Sequence, residues 1–310
     1  MAKVFVTGGS GFIGRRLVNQ LLSQGHSVSV LVRSQVSADV VTRLGATAVR
    51  GELTVADTWQ QAVEGSEVLF HLAAETDVDA ELERHELVTV QGTRAALEAA
   101  RAARVPKFVH CGSEAALLAG EPLVDVDESA PLRPDSAGAY CATKAQAEQL
   151  VIEANDFDFV TVSIRPRFVW GPESFLVEGM AEAAKSGNFG WIEGGRWVTD
   201  TTYVDNAVHG LILGWLRGAP AQAYFITDRH RVTLRDFLET QFALYGVTNP
   251  VPDIDEGAAI ATIPVPARWF LGQDCTLRTE KAVTELGYEP QVTLEEGIEA
   301  LRASLSTRSA

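Results

Sequence analysis

The chain opens with a strand-like run, a glycine-rich turn and a helical pattern, and this order restricts its possible folds more than any other feature. Val4–Thr7 is apolar and β-branched, and Gly14–Gln24 has the spacing of an amphipathic helix. Between them lie three glycines, Gly8, Gly11 and Gly14, at every third position. Glycine suits tight turns and close backbone approach. The segment therefore predicts the first βα unit of a doubly wound sheet.

Strand and helix patterns continue to alternate through the first half of the chain. The buried-strand patterns are Val28–Val32, Ala48–Gly51, Val68–Leu72, Phe108–Cys111 and Val160–Ile164. Helical spacing covers Asp57–Val63, about Ala80–Ala103, and Ala137–Ala154. Such an order places parallel strands between two layers of helices. We predict an α/β fold with a doubly wound parallel sheet.

The glycine turn has the properties of a dinucleotide-binding site. Gly8 permits the tight turn, Gly11 lets a pyrophosphate approach the backbone, and Gly14 lets the helix pack on the strand. The helix N-terminus, with Phe12 and Ile13, faces the negative charge. A turn of this kind can also serve only to reverse the chain, but the flanking strand and helix favour binding.

Residues after the next strands indicate which dinucleotide is bound. Where an acidic side chain would hold the ribose hydroxyls of NAD, this chain has Arg33. A guanidinium can pair with a 2′-phosphate, which favours NADP(H) over NAD(H), although a solvated surface arginine is the alternative. Glu52 and Leu53 are candidates for the adenine edge. Ala73 and Ala74 are small enough to admit the cofactor.

The regular alternation fades after residue 166. Five large aromatic residues lie between Trp170 and Trp197, and strand-like Ala223–Thr227 and helical Leu234–Tyr245 and Leu294–Leu305 follow. Because no linker rich in Ser, Gly or Pro intervenes, we expect a smaller C-terminal lobe interwoven with the first domain. The predicted boundaries are 1–170 with 200–228 for the dinucleotide-binding domain, and 171–199 with 229–310 for the substrate lobe.

Composition excludes several classes of partner. The net charge of −15 would repel nucleic-acid phosphates and acidic lipid surfaces. No apolar run approaches the roughly 20 residues of a membrane span, and strand-like sequence begins by Lys3, which leaves no room for a signal peptide. Three scattered cysteines predict neither disulfides nor a metal site. We expect a cytoplasmic protein that acts on a small molecule.

A tyrosine and a lysine four residues apart form the core of a candidate catalytic set. Tyr140 and Lys144 lie in a helical pattern and project from the same face. A phenol becomes a useful acid–base group when a nearby ammonium lowers its pKa. Ser113 ends the fifth strand, where a doubly wound sheet opens onto its ligand crevice, although it could equally satisfy local backbone.

Together these motifs resemble the extended short-chain dehydrogenases/reductases of the NAD-dependent epimerase/dehydratase type. The segments that carry the resemblance are Thr7–Gly14, Phe70–Ala74, Gln91–Thr93, the Ser113/Tyr140/Lys144 set, Arg165-Pro166, Gly171-Pro172, Tyr203–Asn206 and Leu286–Pro290. The resemblance implies a Rossmann fold, with Tyr140 as general acid or base, Lys144 also on the nicotinamide ribose, and Ser113 on the reacting oxygen. It also implies a possible homodimer. Gln91, in place of the usual Asn, and Cys111-Gly112, in place of hydroxyl residues, depart from the pattern.

Further residues separate the reactions of this family. The dehydratases of the family that this chain resembles have a Thr-Asp-Glu pattern, whose first residue corresponds to Ser113. Here Glu114 is followed by Ala115, so the second carboxylate of that pattern is missing. Phe168 occupies the point where nucleotide-sugar enzymes tend to have Asn. The 197–209 stretch resembles hydroxysteroid dehydrogenases and dihydroflavonol reductases. We therefore predict hydride transfer between nicotinamide and the carbonyl or secondary alcohol of a hydrophobic small molecule.

The substrate contacts and the class of reaction each have alternative interpretations. The candidate substrate contacts are Glu75, Glu114, Phe168, Trp170, Trp191 and Tyr203. The aromatic members could equally be ordinary lobe packing. A nucleotide-sugar epimerase with the same Ser/Tyr/Lys set and a non-catalytic NADP sensor stay open, although such sensors usually lose the Tyr/Lys pair.

Overall fold

A computed structural model describes residues 1–308, so the last two residues of the predicted substrate lobe lie outside it. The strands are β1 Lys3–Thr7, β2 Ser27–Val32, β3 Thr47–Arg50, β4 Val68–His71, β5 Lys107–Cys111, β6 Leu123–Val126, β7 Val160–Pro166, β8 Val169–Trp170, β9 Trp191–Ile192, β10 Val198–Thr199, β11 Thr202–Tyr203, β12 Gln222–Ile226, β13 Val232–Thr233, β14 Asp253–Ile254 and β15 Cys275–Leu277. The helices are α1 Phe12–Ser23, α2 Gln35–Leu44, α3 Gln60–Val63, α4 Leu82–His85, α5 Gly92–Ala102, α6 Ala139–Glu153, α7 Phe175–Lys185, α8 Val204–Arg217, α9 Leu234–Leu244, α10 Glu256–Thr262, α11 Val265–Leu271 and α12 Leu294–Arg308. Over this range no helix combines the length and apolarity that crossing a bilayer requires.

Seven parallel strands form the main sheet, in the order β12-β7-β5-β4-β1-β2-β3. The order reverses at β1, where the chain runs outward first to β2 and β3 and then, through β4, to β5, β7 and β12. In such a sheet the crevice for a ligand lies beyond the carboxyl ends of the strands at this reversal. The predicted doubly wound parallel sheet is confirmed.

Both faces of the sheet are buried. In β1, Val4 and Val6 belong to the core under α1, α2 and α8, whereas Phe5 belongs to the opposite core under α3, α5 and α6. Successive side chains of a strand point to opposite faces, so a strand buried on both sides needs an unbroken apolar run. For this reason the strand segments are apolar at successive positions and not only at alternate ones.

The second lobe is interwoven with the sheet domain. Its four-stranded sheet has the order β13-β10-β15-β6, and β6 comes from the connection between β5 and α6, inside the predicted dinucleotide-binding range. In the other direction, β12 pairs with β7 and completes the main sheet. An aromatic core fills the lobe around Trp170, Tyr203 and Phe237. The exact domain boundaries stay a prediction.

Candidate active site

The glycine turn is shaped by backbone contacts that leave no space for side chains. Gly8 has φ +73°, and a Cβ on it would lie 2.7 Å from the Ala73 amide nitrogen. A Cβ on Gly14 would lie 2.1 Å from the Gly8 carbonyl oxygen. Gly11 is exposed and caps α1 without a side-chain hydrogen bond. The first turn of α1 therefore presents free backbone N–H groups, as an anion site requires.

A buried histidine supports this turn from behind. The His71 ring is fully buried and bridges Thr7 Oγ1, 2.7 Å from Nδ1, and Thr93 Oγ1, 3.0 Å from Nε2. Thr93 donates its hydroxyl proton to the Thr89 carbonyl, so it can only accept from Nε2–H, and Nδ1 must accept from Thr7. Burial, with a smaller contribution from the charge of Lys144, lowers the pKa of His71 to about 3. His71 is thus a neutral structural residue.

The other predicted cofactor residues lie at the carboxyl ends of their strands. Arg33 is exposed directly after β2, and Glu52 is exposed shortly after β3. Leu53 is half-buried and packs against Gly92 in α5. Ala73 and Ala74 are half-buried after β4. The strand order brings these ends to one edge of the sheet beside the glycine turn.

Ser113, Tyr140 and Lys144 come together on the sheet and on α6. Ser113 stands two residues after the end of β5 and caps a short 3₁₀ turn, where its Oγ accepts from the Ala115 amide at 3.1 Å. Tyr140 and Lys144 occupy the first two turns of α6. The Tyr140 hydroxyl lies beside the Ser113 side chain. Lys144 is buried, and its Nζ donates to the Cys111 carbonyl at 2.9 Å.

The acid–base balance of this set differs from the prediction. Burial raises the pKa of the Tyr140 phenol well above its usual value, and the charge of Glu114 adds to that rise, while the hydrogen bond with Ser113 opposes it. Burial also lowers the pKa of the Lys144 ammonium. The sequence predicted a lowered phenol pKa. The structure favours the protonated phenol because desolvation of the phenolate dominates.

Glu114 is held in a buried ion pair. Its Oε1 accepts from Arg167 Nη1 at 2.7 Å, its Oε2 accepts from the Ser113 hydroxyl at 2.8 Å, and both charged side chains are buried. Arg167 also donates to Thr199 Oγ1 and to the Phe270 carbonyl. Sequence reasoning assigned Glu114 to the substrate, but in the structure both of its oxygens are bonded to protein groups.

The remaining candidate substrate residues have packing partners. Phe168, Trp170, Trp191 and Tyr203 are all buried in the aromatic core of the second lobe. Trp170 packs edge-on against Tyr203 and donates to Asp228 at 2.8 Å. These contacts explain their burial by packing, so a role of these four in binding substrate stays a prediction.

Glu75 likewise has protein partners. Its carboxylate accepts from Arg84 at 2.7 Å and from the backbone amides of Thr76 and Asp77. Burial acts to raise the pKa of Glu75, but the hydrogen bonds from Arg84 and the two amides outweigh it and lower the pKa. The interactions fix the loop after β4, and its contact with substrate stays a prediction.

Sequence reasoning missed three residues around Tyr140. Phe270 and His85 both pack edge-on against the Tyr140 ring, with centroid distances of 6.1 and 6.0 Å. The third, Arg167, is linked to Tyr140 through Glu114 and Ser113. A signal for Arg167 existed, since it stands two residues after Arg165 in a buried apolar run and buried arginines require partners.

Close packing explains the departure at Gly112 from the family pattern. A Cβ at this position would lie 2.6 Å from Ser163 Oγ and 2.9 Å from Glu148 Oε2. Glu148 in turn forms a buried ion pair with Arg165, one helical turn beyond Lys144. A hydroxyl-bearing residue would displace this pair, so glycine is required before Ser113.

The comparisons with known proteins agree with this geometry. Residues 5–252 match the model of the 3-beta hydroxysteroid dehydrogenase/isomerase family. The chain belongs to this family. The resemblance to extended short-chain dehydrogenases/reductases is thereby confirmed, as is the prediction of an NAD(P)-dependent oxidoreductase.

Two curated relatives of this family member are reductases. A 4-hydroxy-2-methyl-3-oxo-4-farnesyl-3,4-dihydroquinoline-1-oxide ketoreductase from Stigmatella aurantiaca is 41% identical, over 97% of this chain and 96% of its own. A 2-alkyl-3-oxoalkanoate reductase from Stenotrophomonas maltophilia is 31% identical, over 97% of this chain and 99% of its own.

Solved structures extend the similarity of fold. The UDP-glucose 4-epimerase of Thermotoga maritima superposes with a TM-score of 0.82 at 21% identity, over 99% of this chain and 100% of that one. The UDP-glucuronic acid 4-epimerase of Bacillus cereus, in complex with NAD, gives 0.80 at 19% identity, with the same coverage of both chains. At these identities the likeness shows the Rossmann fold alone.

Proposed function

We propose that this 3-beta hydroxysteroid dehydrogenase/isomerase family member is a ketoreductase for a hydrophobic ketone. The observation that carries the proposal is the place of the Tyr140 phenol, beside Ser113 and one helical turn from Lys144, where burial raises its pKa and so favours the protonated form. A protonated phenol is the form that donates a proton to a carbonyl oxygen, as reduction requires.

The substrate class is proposed from the relatives and from the surroundings of Tyr140. Both relatives are named for a 3-oxo substrate that carries a hydrocarbon chain on the carbon beside the ketone. In this chain the edge of Phe270 packs against the Tyr140 ring, and Leu117 and Leu118 are buried beside Ser113. We therefore propose a ketone with an apolar chain on its neighbouring carbon.

The residues around the glycine turn fit a nicotinamide dinucleotide. The turn excludes side chains, and the uncapped N-terminus of α1 offers N–H groups for a pyrophosphate. Lys144 would hold the nicotinamide ribose, and we propose that Arg33 would hold a 2′-phosphate, so that NADP(H) is preferred over NAD(H). When bound in its reduced form, the nicotinamide supplies a hydride to the carbonyl carbon.

The chain's own groups then handle the proton. Tyr140 donates its hydroxyl proton to the carbonyl oxygen, so the ketone becomes an alcohol. Lys144 lies one turn along α6 and stabilises the phenolate that this step leaves. Ser113 lies beside Tyr140 and is placed to orient the same oxygen once its hydroxyl turns away from Glu114.

The experiment that tests the proposal is Tyr140→Phe. Turnover of a panel of ketones that carry an alkyl chain beside the carbonyl would be followed by nicotinamide absorbance, with NADPH and with NADH. We expect turnover to fall at least about 10³-fold while NADPH affinity changes little, because the ring stays and the transferable proton is lost. The matched control is Tyr288→Phe, which removes a buried hydroxyl bonded to the Thr227 carbonyl. Retention of more than a few per cent of activity in Tyr140→Phe would refute the assignment.

Location and assembly stay predictions. We propose a cytoplasmic homodimer that contacts its neighbour through α5 and α6, on the grounds of the acidic composition and the resemblance to the family. Light scattering of the purified chain would measure the mass, and a monomer at micromolar concentration would contradict the dimer.

A further inference from the structure

The strongest feature outside the catalytic set itself is a chain of buried polar groups that ends on it. Arg167 binds Glu114, Glu114 binds Ser113, and Ser113 lies beside Tyr140. Arg167 is 1% exposed and Glu114 is 2% exposed. An ion pair removed from water in this way costs desolvation free energy, so its position against a catalytic residue calls for a functional explanation.

The hydrogen-bond donors and acceptors in this series of polar groups can be assigned. Glu114 is paired with a guanidinium and is a carboxylate, so the Ser113 hydroxyl donates to it. Ser113 has only one proton to give, and its oxygen accepts from the Ala115 amide. In the resting arrangement the Ser113 proton is therefore directed to Glu114 and not to the Tyr140 oxygen. If Tyr140 lost its proton, the Glu114 carboxylate and the phenolate would compete for the single Ser113 proton.

Resting on the proposed function, we propose that Glu114 is a positioning residue that orients the Ser113 hydroxyl and keeps the proton on Tyr140, which sets the site for reduction. Arg167 holds the Glu114 carboxylate in place. The same guanidinium donates to the Phe270 carbonyl at 3.2 Å, and the Phe270 ring packs on Tyr140, so the pair also fixes the cover formed by α11.

Other groups also face Tyr140 and have to be separated from Glu114. Lys144 follows on α6, His85 packs on the ring from α4, and the thiols of Cys111 and Cys141 are close. Both thiols have a raised pKa because of burial, so they stay neutral near neutral pH. Among these groups Glu114 is the one negative charge bonded to Ser113, and its removal favours the phenolate.

The test is a pH profile of both reaction directions in Glu114→Gln. The probes are the panel ketone with the highest turnover, with NADPH, and the corresponding alcohol, with NADP⁺. As the pH rises, the rate of reduction should fall and the rate of oxidation should rise. In Glu114→Gln we expect both changes to occur about one pH unit lower, the size of shift that one nearby charge gives. Glu114→Asp keeps the charge and should restore both limbs toward their original positions.

A second variant covers the case in which Glu114→Gln does not fold. The single change leaves Arg167 as an unpaired buried charge, whereas Glu114→Gln with Arg167→Met removes both charges, which proteins tolerate better. The double variant should show a shift in the same direction, but a smaller one, because the positive charge of Arg167 is lost as well. Glu148→Gln with Arg165→Met is the matched control, because it removes a buried pair that is not bonded to Ser113.

The outcomes separate this inference from the proposed function. If Glu114→Gln or the double variant lowers turnover equally at all pH values, or if the control pair moves the limbs as far, Glu114 has only a structural role and the inference is overturned. If Tyr140→Phe is inactive but the profiles coincide, the ketoreductase survives and only the inference fails. If Tyr140→Phe stays active, the proposed function itself fails.

Discussion

The glycine turn and the aromatic core of the second lobe are both tightly packed, but they are packed in different ways. In the turn, the atoms that limit space are backbone atoms of Gly8 and Ala73. In the lobe, Trp170 packs against the rings of Tyr203 and Phe237 and bonds to Asp228, 58 residues further along the chain. The turn thus depends on the absence of side chains within one short segment. The lobe depends on long-range contacts between large ones.

This difference decides what a substitution does. A side chain added to the turn meets backbone that cannot move, and it blocks the place where a cofactor would approach. A side chain removed from the lobe leaves a cavity but does not touch that place. Changes in the turn should therefore affect binding first, and changes in the lobe should affect stability first.

The largest effect is expected for Gly14→Ala. Its Cβ would lie 2.1 Å from the Gly8 carbonyl oxygen, so the first turn of α1 has to shift. We expect NADPH binding, followed by nicotinamide fluorescence, to be lost. The control is Gly179→Ala on α7, where a Cβ meets nothing within 4 Å and affinity should not change. Normal NADPH affinity in Gly14→Ala would contradict the claim that substitutions in the turn affect binding first.

Trp170→Ala is expected to have the largest effect in the lobe. The indole is fully buried and donates to Asp228, so its removal leaves a cavity and takes one donor from a buried carboxylate. We expect a loss of about 3–5 kcal/mol in the free energy of unfolding, measured with urea. Trp170→Phe keeps a ring and should lose less. NADPH affinity of the folded protein should stay near the original value, and a large loss would show that the two regions are coupled.

The same difference explains how much of the fold the sequence could predict. The main strands and the glycine turn follow from local pattern, because each is specified by contiguous residues. Helix α2 was missed although it carries local signals, a Ser34 cap that accepts from the Ser37 amide and Gly45 in the left-handed region. Helix α8 was not predicted either, although most of its residues are buried.

The site was predictable in part for a related reason. Ser113, Tyr140 and Lys144 carry a recognisable order and spacing, whereas Glu114 and Arg167 are 53 residues apart and pair only after folding. The aromatic residues were assigned to the substrate by type, but type does not distinguish a pocket wall from a core. Only the long-range contacts of Trp170 and Trp191 place them in the lobe core.

The two regions should also respond oppositely to pH. Burial holds the pKa of His71, beside the turn, at about 3, and it raises the pKa of Asp200, in the lobe, to about 6. The unfolded chain binds a proton at His71 below about pH 6.5, so that site destabilises the fold as pH falls. The folded chain releases the Asp200 proton later than the unfolded chain, so that site destabilises the fold as pH rises from about 4 to 6.

Unfolding with urea at several pH values measures both terms. The gain in stability of Asp200→Asn over the original chain should increase between pH 4 and pH 7, by on the order of 2 kcal/mol. For His71→Asn, the free energy of unfolding relative to that of the original chain should instead increase as the pH falls from 7 to 5. Equal slopes for both variants would contradict the assignment of opposite signs.

The smallest effect is expected for Arg33→Ala, which removes the exposed side chain that we propose to hold a 2′-phosphate. Arg33 is exposed after β2, so its loss should cost little stability. We expect NADPH affinity to fall about tenfold, which corresponds to about 1.4 kcal/mol, and NADH affinity to stay unchanged. Arg43→Ala, an exposed arginine in the last turn of α2, is the control. Equal losses for both cofactors would mean that Arg33 acts on something other than a 2′-phosphate, and binding in this region would then depend on the backbone alone.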